Sequence, residues 1–184
     1  TSGPRAHAGD PVNAVPYRIE LLDLRTGRVT RLAATEPGRA AFSPAGDTVA
    51  LVGQTTVRII DIATGKDIAA RALDKSLAGA CVAWSRDGRT IAAGMGDNLD
   101  NPSPSGCTLL LDARTLQTQH TLASGNALSV AFSPDGARLA AGGRDGRVHV
   151  FDRATGEQLA SMSGHGQVIM SVAFSPDGSR IASG

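Results

Sequence analysis

Aromatic residues are scarce in this chain: one Trp, one Tyr and four Phe make up 3% of its 184 residues. Strong charge of either sign is also missing. The 18 basic and 17 acidic residues leave a net charge of +1, and only Lys66 and Lys75 among the basic residues are lysines. That balance gives no field of the kind that gathers nucleic acid or an anionic membrane surface. No apolar run reaches the ~18 residues needed to cross a bilayer, and the first residues lack the basic, apolar and cleavage regions of a signal peptide. The chain opens on Thr1 rather than methionine.

Cysteine is nearly absent too. Cys81 and Cys107 have no CxxC spacing and are expected as two buried, inert thiols rather than a metal or redox pair. Catalytic signatures are missing from the wording: there is no G-x-S-x-G elbow, no G-x-x-x-x-G-K-[ST] phosphate loop and no H-x-x-x-H pair. The four histidines (His7, His120, His149, His165) fall in unlike places. Hence no catalytic, cofactor-binding or metal-binding residue is assigned.

What the chain does have is repetition. S-V-A-F-S-P-D-G at residues 129–136 returns as S-V-A-F-S-P-D-G at 171–178, which sets Phe132 and Phe174 42 residues apart. Four-stranded propeller blades repeat every ~40–45 residues. Within the unit, Val130 and Phe132 alternate with Ala131 and Ser133, a period of two that predicts a strand. Ser133-Pro134-Asp135-Gly136 supplies a tight turn. A second strand over 139–141, a third marked by Val148, Val150 and Asp152, and a shorter fourth near 159–161 complete four antiparallel strands. Mid-strand positions are Ala, Val and Ile on both faces, which suits a sheet covered on both sides.

In chain order, residues 1–16 are turn-rich and aperiodic, and read as a lead-in or linker. Residues 17–184 read as the repeat segment: a half unit at 17–33, full units at about 39–71, 80–122 and 127–162, and a half unit at 168–184. The period lengthens to 48 residues between Trp84 and Phe132. The excess falls at 98–106 (N-L-D-N-P-S-P-S-G), too rich in Pro and Gly to extend a strand, so it is expected as an exposed hairpin loop. It lacks the acidic pattern of a calcium loop.

These motifs resemble the tryptophan–aspartate (WD) repeat family over residues 17–184. The resemblance rests on Gly164-His165, the F-S-P-x-G turns at Phe42, Phe132 and Phe174, Asp145 before the third strand, and the strand-ending pairs Ile60-Asp61, Leu111-Asp112 and Phe151-Asp152. It implies an all-β fold, a partial β-propeller of four-stranded antiparallel WD-repeat blades. It also implies structural turn or tetrad-like roles for Asp97, Asp145, His165, Ser183, Asp61, Asp112 and Asp152. No unit carries the whole histidine–hydroxyl–aspartate–tryptophan tetrad. Ala141 and Phe151 stand in two of its places beside Asp145, and Ala93 stands in one beside Asp97. Trp84 takes the first-strand phenylalanine position and is expected in the core.

Family members commonly act as rigid platforms. The expected function is a non-catalytic interaction or sensory scaffold, with no cofactor, that binds a protein, a peptide or other domains of a parent chain. The loop residues Asn98, Leu99, Asp100, Asn101 and Pro102 are the expected contact surface. The alternative is the propeller portion of a larger kinase, ATPase or peptidase whose catalytic residues lie elsewhere. The Ala-, Gly- and Arg-rich wording resembles WD-repeat tails of large bacterial signalling proteins, which implies a cytoplasmic fragment of such a protein.

Overall fold

The computed structural model describes residues 18–33, 36–74, 77–97 and 106–184. The lead-in at 1–16, His7, Lys75 and the loop residues Asn98, Leu99, Asp100, Asn101 and Pro102 lie outside the described residues. The chain divides into two compact units, residues 1–36 and 37–184.

In the first unit, β1 (Arg18–Leu22) and β2 (Val29–Ala33) form an antiparallel hairpin. The reversal is chemical: Asp23 Oδ1 accepts the amides of Arg25 and Thr26, both at 2.9 Å, and Gly27 takes φ of 69°. Arg31 and Glu20, opposite each other across the ladder, pair at 2.9 Å.

The second unit repeats one plan. β3 (Gly38–Phe42), β4 (Thr48–Gly53), β5 (Thr56–Asp61) and β6 (Asp67–Ala72) make an antiparallel sheet in sequence order. β7 (Leu77–Trp84), β8 (Thr90–Asp97), β9 (Cys107–Asp112) and β10 (Thr118–Leu122) make the next. β11 (Ala127–Phe132), β12 (Arg138–Gly143), β13 (Arg147–Asp152) and β14 (Gln158–Ser163) make the third. β15 (Val172–Phe174) and β16 (Ile181–Ser183) pair as a hairpin.

Two strands run longer than the sequence pattern alone suggests. β7 begins at Leu77, because its ladder with β8 continues past an irregularity between Gly79 and Cys81. β14 spans six residues rather than being short, because its ladder with β13 survives the register shift between Val150 and Phe151.

The second strands of two of these sheets are covered on both faces. β4 and β12 are buried over five consecutive residues each, as strands sandwiched between neighbouring sheets must be. First strands of successive sheets are neighbours: β3 lies beside β7, β7 beside β11, and β11 beside β15. One apolar cluster joins Val52, Val57 and Ile59 to Ile91, Met95 and Leu111. A second joins Ala92, Leu110 and Leu122 to Val130, Leu139 and Phe151. A third packs Val148 and Val150 with Ile169 and Val172. Glycines allow the close approach. A methyl group on Gly142 would stand 2.7 Å from Ile169 and 2.8 Å from Val172. Trp84 is half-buried against the first cluster, and its indole N–H donates to the Ala41 carbonyl at 3.1 Å. The fold is all-β, a partial propeller of four-stranded antiparallel blades.

Candidate functional site

Antiparallel order sorts the connections of the second unit into two ends. Turns between first and second strands share one end with turns between third and fourth strands, and the remaining connections lie at the other.

The turn end is built from two local devices. In the first, a serine hydroxyl bonds an aspartate within the same turn: Ser85 with Asp87 and Ser175 with Asp177 at 2.6 Å, and Ser133 with Asp135. The same serine then accepts an amide two residues past the glycine, as Ser133 does from Arg138 at 2.9 Å. Ala45 occupies the aspartate place in the first sheet, and Asp47 bonds Ser43 there instead, at 2.8 Å. In the second device an aspartate ends the third strand and holds a threonine three residues on. Asp61 bonds Thr64, Asp112 bonds Thr115 and Asp152 bonds Thr155, each through both amide and hydroxyl. The next residue takes the left-handed conformation, as Gly65 and Gly156 do without steric cost. Leu116 does so as the one non-glycine among the described residues, with φ of 58°.

These bonds pull the turn carboxyls below their ordinary 3.8. The Ser175 hydroxyl, then the Ser179 amide and hydroxyl, hold Asp177 down at about 2. Burial pushes the Asp87 carboxyl up, but bonds from Ser85, the Arg89 amide and the Arg153 guanidinium outweigh it and hold it at about 2. The Thr64 hydroxyl lowers Asp61, and the Thr155 amide lowers Asp152.

At the opposite end, Asp145 begins the turn into β13. Its Oδ1 accepts the Arg147 amide at 3.1 Å and its Oδ2 meets His149 Nε2 at 2.7 Å. His149 is buried at 8% exposure, and its Nδ1 faces the Gln158 amide oxygen at 3.3 Å. Both ring nitrogens are thus engaged. The histidine beside Asp145 therefore comes from β13, four residues further along the chain, not from the preceding connection, where the sequence shows none. His165 Nε2 lies 2.8 Å from the Ser183 hydroxyl, on the exposed side. Asp97 ends β8, opposite Leu77. The close of the inserted loop is visible at Gly106, which abuts Asn126 so tightly that a side chain there would meet its backbone. The buried Thr108 and Ser124 hydroxyls bond each other at 2.7 Å.

Three residues were missed from the sequence: His149, Thr108 and Ser124. An aspartate four residues before a histidine on an alternating strand was the one available signal for the first.

The cysteines are free and partly buried. Burial raises both thiols, Cys81 to about 11, and the Cys81 thiol donates to the Ala127 carbonyl at 3.6 Å. Among the described residues no three His, Cys, Asp or Glu side chains gather in a way that would hold a metal ion. None of the described residues forms a helix long and apolar enough to cross a membrane.

Several clefts lie between sheets. One of about 420 Å³ is bounded by Val148, Val150, Leu159, Met162, Phe174 and Ile181. Another, about 640 Å³, opens at the turn end between the β3–β6 and β7–β10 sheets, over Ile59, Ile68 and Trp84. A third, about 380 Å³, lies at the same end between β7–β10 and β11–β14, over Thr90, Gln119, His120 and the Arg153–Asp87 pair.

Comparison with known proteins agrees with this architecture. The WD40 family (WD domain, G-beta repeat) matches residues 114–152 and 156–184. A chain of a solved structure, "Crystal Structure of Mitotic Checkpoint Complex", superposes with a TM-score of 0.78 at 23% identity, over 91% of this chain and 51% of that one. The present chain thus spans about half the length of that relative. No curated protein sequence matches. The matched residues are similar to WD40 repeats, and the fold is all-β, with four-stranded antiparallel sheets that resemble WD-repeat blades.

Proposed function

We propose that this segment is a non-catalytic interaction scaffold that binds a protein, a peptide or a neighbouring domain through the loops at its hairpin ends. One observation carries the reading. The turns are pinned by serine–aspartate and aspartate–threonine bonds repeated from sheet to sheet, so the surface at the turn end is held in shape before a partner arrives. Preorganisation of that kind removes much of the ordering cost of association. Polar side chains that would otherwise be candidates for chemistry are engaged in this scaffolding, His149 with Asp145 and Gln158 among them. The fold shared with a chain of a mitotic checkpoint complex supports a role inside an assembly. The loop residues Asn98 to Pro102 are the first contact surface we assign. The repeat wording further supports a cytoplasmic setting within a longer bacterial signalling protein.

The test is affinity capture followed by quantitative mass spectrometry, with the native loop and with residues 98–105 replaced by a short Gly-Ser turn. A stoichiometric partner lost only on shortening the loop is the expected result. Capture unchanged by the replacement would remove the loop from the reading, and turnover of a substrate by the isolated segment would overturn the non-catalytic assignment.

A further inference from the structure

Each complete sheet of the second unit is two hairpins with different turn chemistry. The turn between first and second strands is held by a serine, and the turn between third and fourth strands by an aspartate and a threonine. Two hairpins of the chain stand singly. β15–β16 turns through Ser175 and Asp177, which makes it a first–second hairpin. β1–β2 turns through Asp23, whose Oδ1 accepts the Thr26 amide at 2.9 Å ahead of Gly27, which makes it a third–fourth hairpin. Each has what the other lacks, and in the folded chain they remain separate two-stranded sheets.

The side chains show the same deficit on both sides. Leu22 is 57% exposed, whereas its repeat equivalents Ile60, Leu111 and Phe151 are exposed at 0%, 0% and 2%. In complete sheets that residue faces a buried second-strand residue, Leu111 facing Ile91 and Phe151 facing Leu139. The corresponding residue of β16 is Ile181, which is only half-buried. Met162 is 45% exposed, while its equivalent Leu122, which a complete sheet follows, is 1% exposed. Met162, Ile181, Val148 and Val150 border the 420 Å³ cleft. That cleft is where a third and a fourth strand would lie.

Backbone polarity agrees. The Arg180 carbonyl accepts the Ser175 amide and Gly184 exchanges both bonds with Ser171, so alternation turns the N–H and C=O of Ile181 and Ser183 to the outer edge of β16. In β1 the Asp23 amide donates to the Arg28 carbonyl across the hairpin, so Leu22 and Glu20 face the edge away from β2. Among the described residues no strand covers either edge.

We propose that the β1–β2 hairpin of a second copy docks along β16 and completes a four-stranded sheet in the order β15–β16–β1–β2. The register of the complete sheets sets Ile181 opposite Leu22, Ala182 opposite Leu21 and Ser183 opposite Glu20. It also sets Arg180 opposite Asp23, as Arg138 stands opposite Asp152. Leu22 then enters the cleft beside Val150. The occupant is a second copy because this hairpin has the matching turn, edge and exposed leucine, and within one chain it does not pair with β16. Made reciprocally, the exchange closes a dimer and leaves neither edge open. Three complete sheets and one shared sheet per copy give eight in the pair, within the ~4–8 blades of a propeller. This assembly is independent of the scaffold reading and of the loop at 98–102.

The test is disulfide trapping between two versions of the full chain, one with Leu21→Cys and the other with Ala182→Cys. The two positions form a non-hydrogen-bonded pair, where Cα atoms ~4.5 Å apart permit a disulfide. One version is isotope-labelled, and the oxidised mixture is read by intact mass and peptide mapping. We expect a mixed dimer joined through residues 21 and 182. Far less product should form when Glu20→Cys, one residue out of register, replaces Leu21→Cys. Light scattering of the unsubstituted chain at tens of micromolar should give twice the monomer mass. Leu22→Glu, at a place already exposed in the single chain, should keep the circular dichroism spectrum and weaken self-association at least about tenfold. Should that variant misfold, trapping decides the matter with Leu22 intact. A monomer at every concentration, equal trapping in both registers, masses that grow without limit, or a doubly substituted chain that closes its disulfide internally would each overturn the proposal.

Discussion

Leu116 shows how two local demands can collide in one residue. Its equivalents Gly65 and Gly156 adopt positive φ freely, whereas a leucine there bears strain of ~1–2 kcal/mol. Its side chain is nonetheless 1% exposed inside the first apolar cluster, and loss of such a side chain costs ~2–5 kcal/mol. Burial outweighs strain. Leu116→Gly should therefore destabilise the fold by about 1–3 kcal/mol despite relieving the backbone, read as a lower urea midpoint. Gly46→Ala isolates the strain, since φ there is 74° with open space around it, and should cost only ~1 kcal/mol. A gain in stability from Leu116→Gly would mean that strain dominates. The leucine is plain in the sequence as a break in D-x-x-T-G. That it faces the core is not, because the direction of a turn side chain depends on the neighbouring sheet.

At the scale of a hairpin, the turn carboxylates make the fold sensitive to acid. Asp61, Asp87, Asp112, Asp135, Asp152 and Asp177 all sit below the ordinary 3.8 when folded. A carboxyl whose folded value is depressed contributes stability that is fully present above its unfolded value and disappears as pH falls through the folded one. Stability should thus be flat near neutrality and fall between about pH 4 and pH 2. Urea unfolding at pH 7, 3.5 and 2.5 checks this. Asp177→Asn should be less stable at pH 7 and should show a shallower acid decline; an unchanged slope would mean that this turn has no part in it. The hairpins were the most legible part of the chain, since Asp and Thr three residues apart act on one another whatever lies around them. Fold class followed from their recurrence. His149 beside Asp145 was not legible, because the pair depends on which way a strand side chain leans. The cleft over Ile59, Ile68 and Trp84 was half legible. Ala45 stands out as a departure from S-P-D-G, but that it lines this cleft together with Ala113, 68 residues away, depends on the packing of two sheets.

For the second unit as a whole, cohesion comes from the faces between sheets. The β11–β14 sheet meets the β15–β16 hairpin over Gly142, Ile169 and Val172. The Ser129 hydroxyl accepts the Val172 amide at 3.1 Å, and Arg138 donates to the Gly178 carbonyl at 2.8 Å. Gly142→Val would overfill that face, at a typical cost of ~1–3 kcal/mol. Amide exchange should then quicken at Val172 and Phe174 while β3–β6 amides keep their protection. Quickening throughout the second unit would show instead that all its sheets open together.

Among the described residues, side-chain ties between sheets join one repeat to the next along the chain. Trp84 bonds Ala41, Cys81 bonds Ala127, Arg153 pairs with Asp87 and Ser129 holds Val172. Duplication of a whole repeat would therefore strand no partner. A second copy of β11–β14 set after the first would bring its own Arg153 equivalent to the step where Asp135, the counterpart of Asp87, already stands. The chain carries in its contacts the means of its own lengthening, one blade at a time.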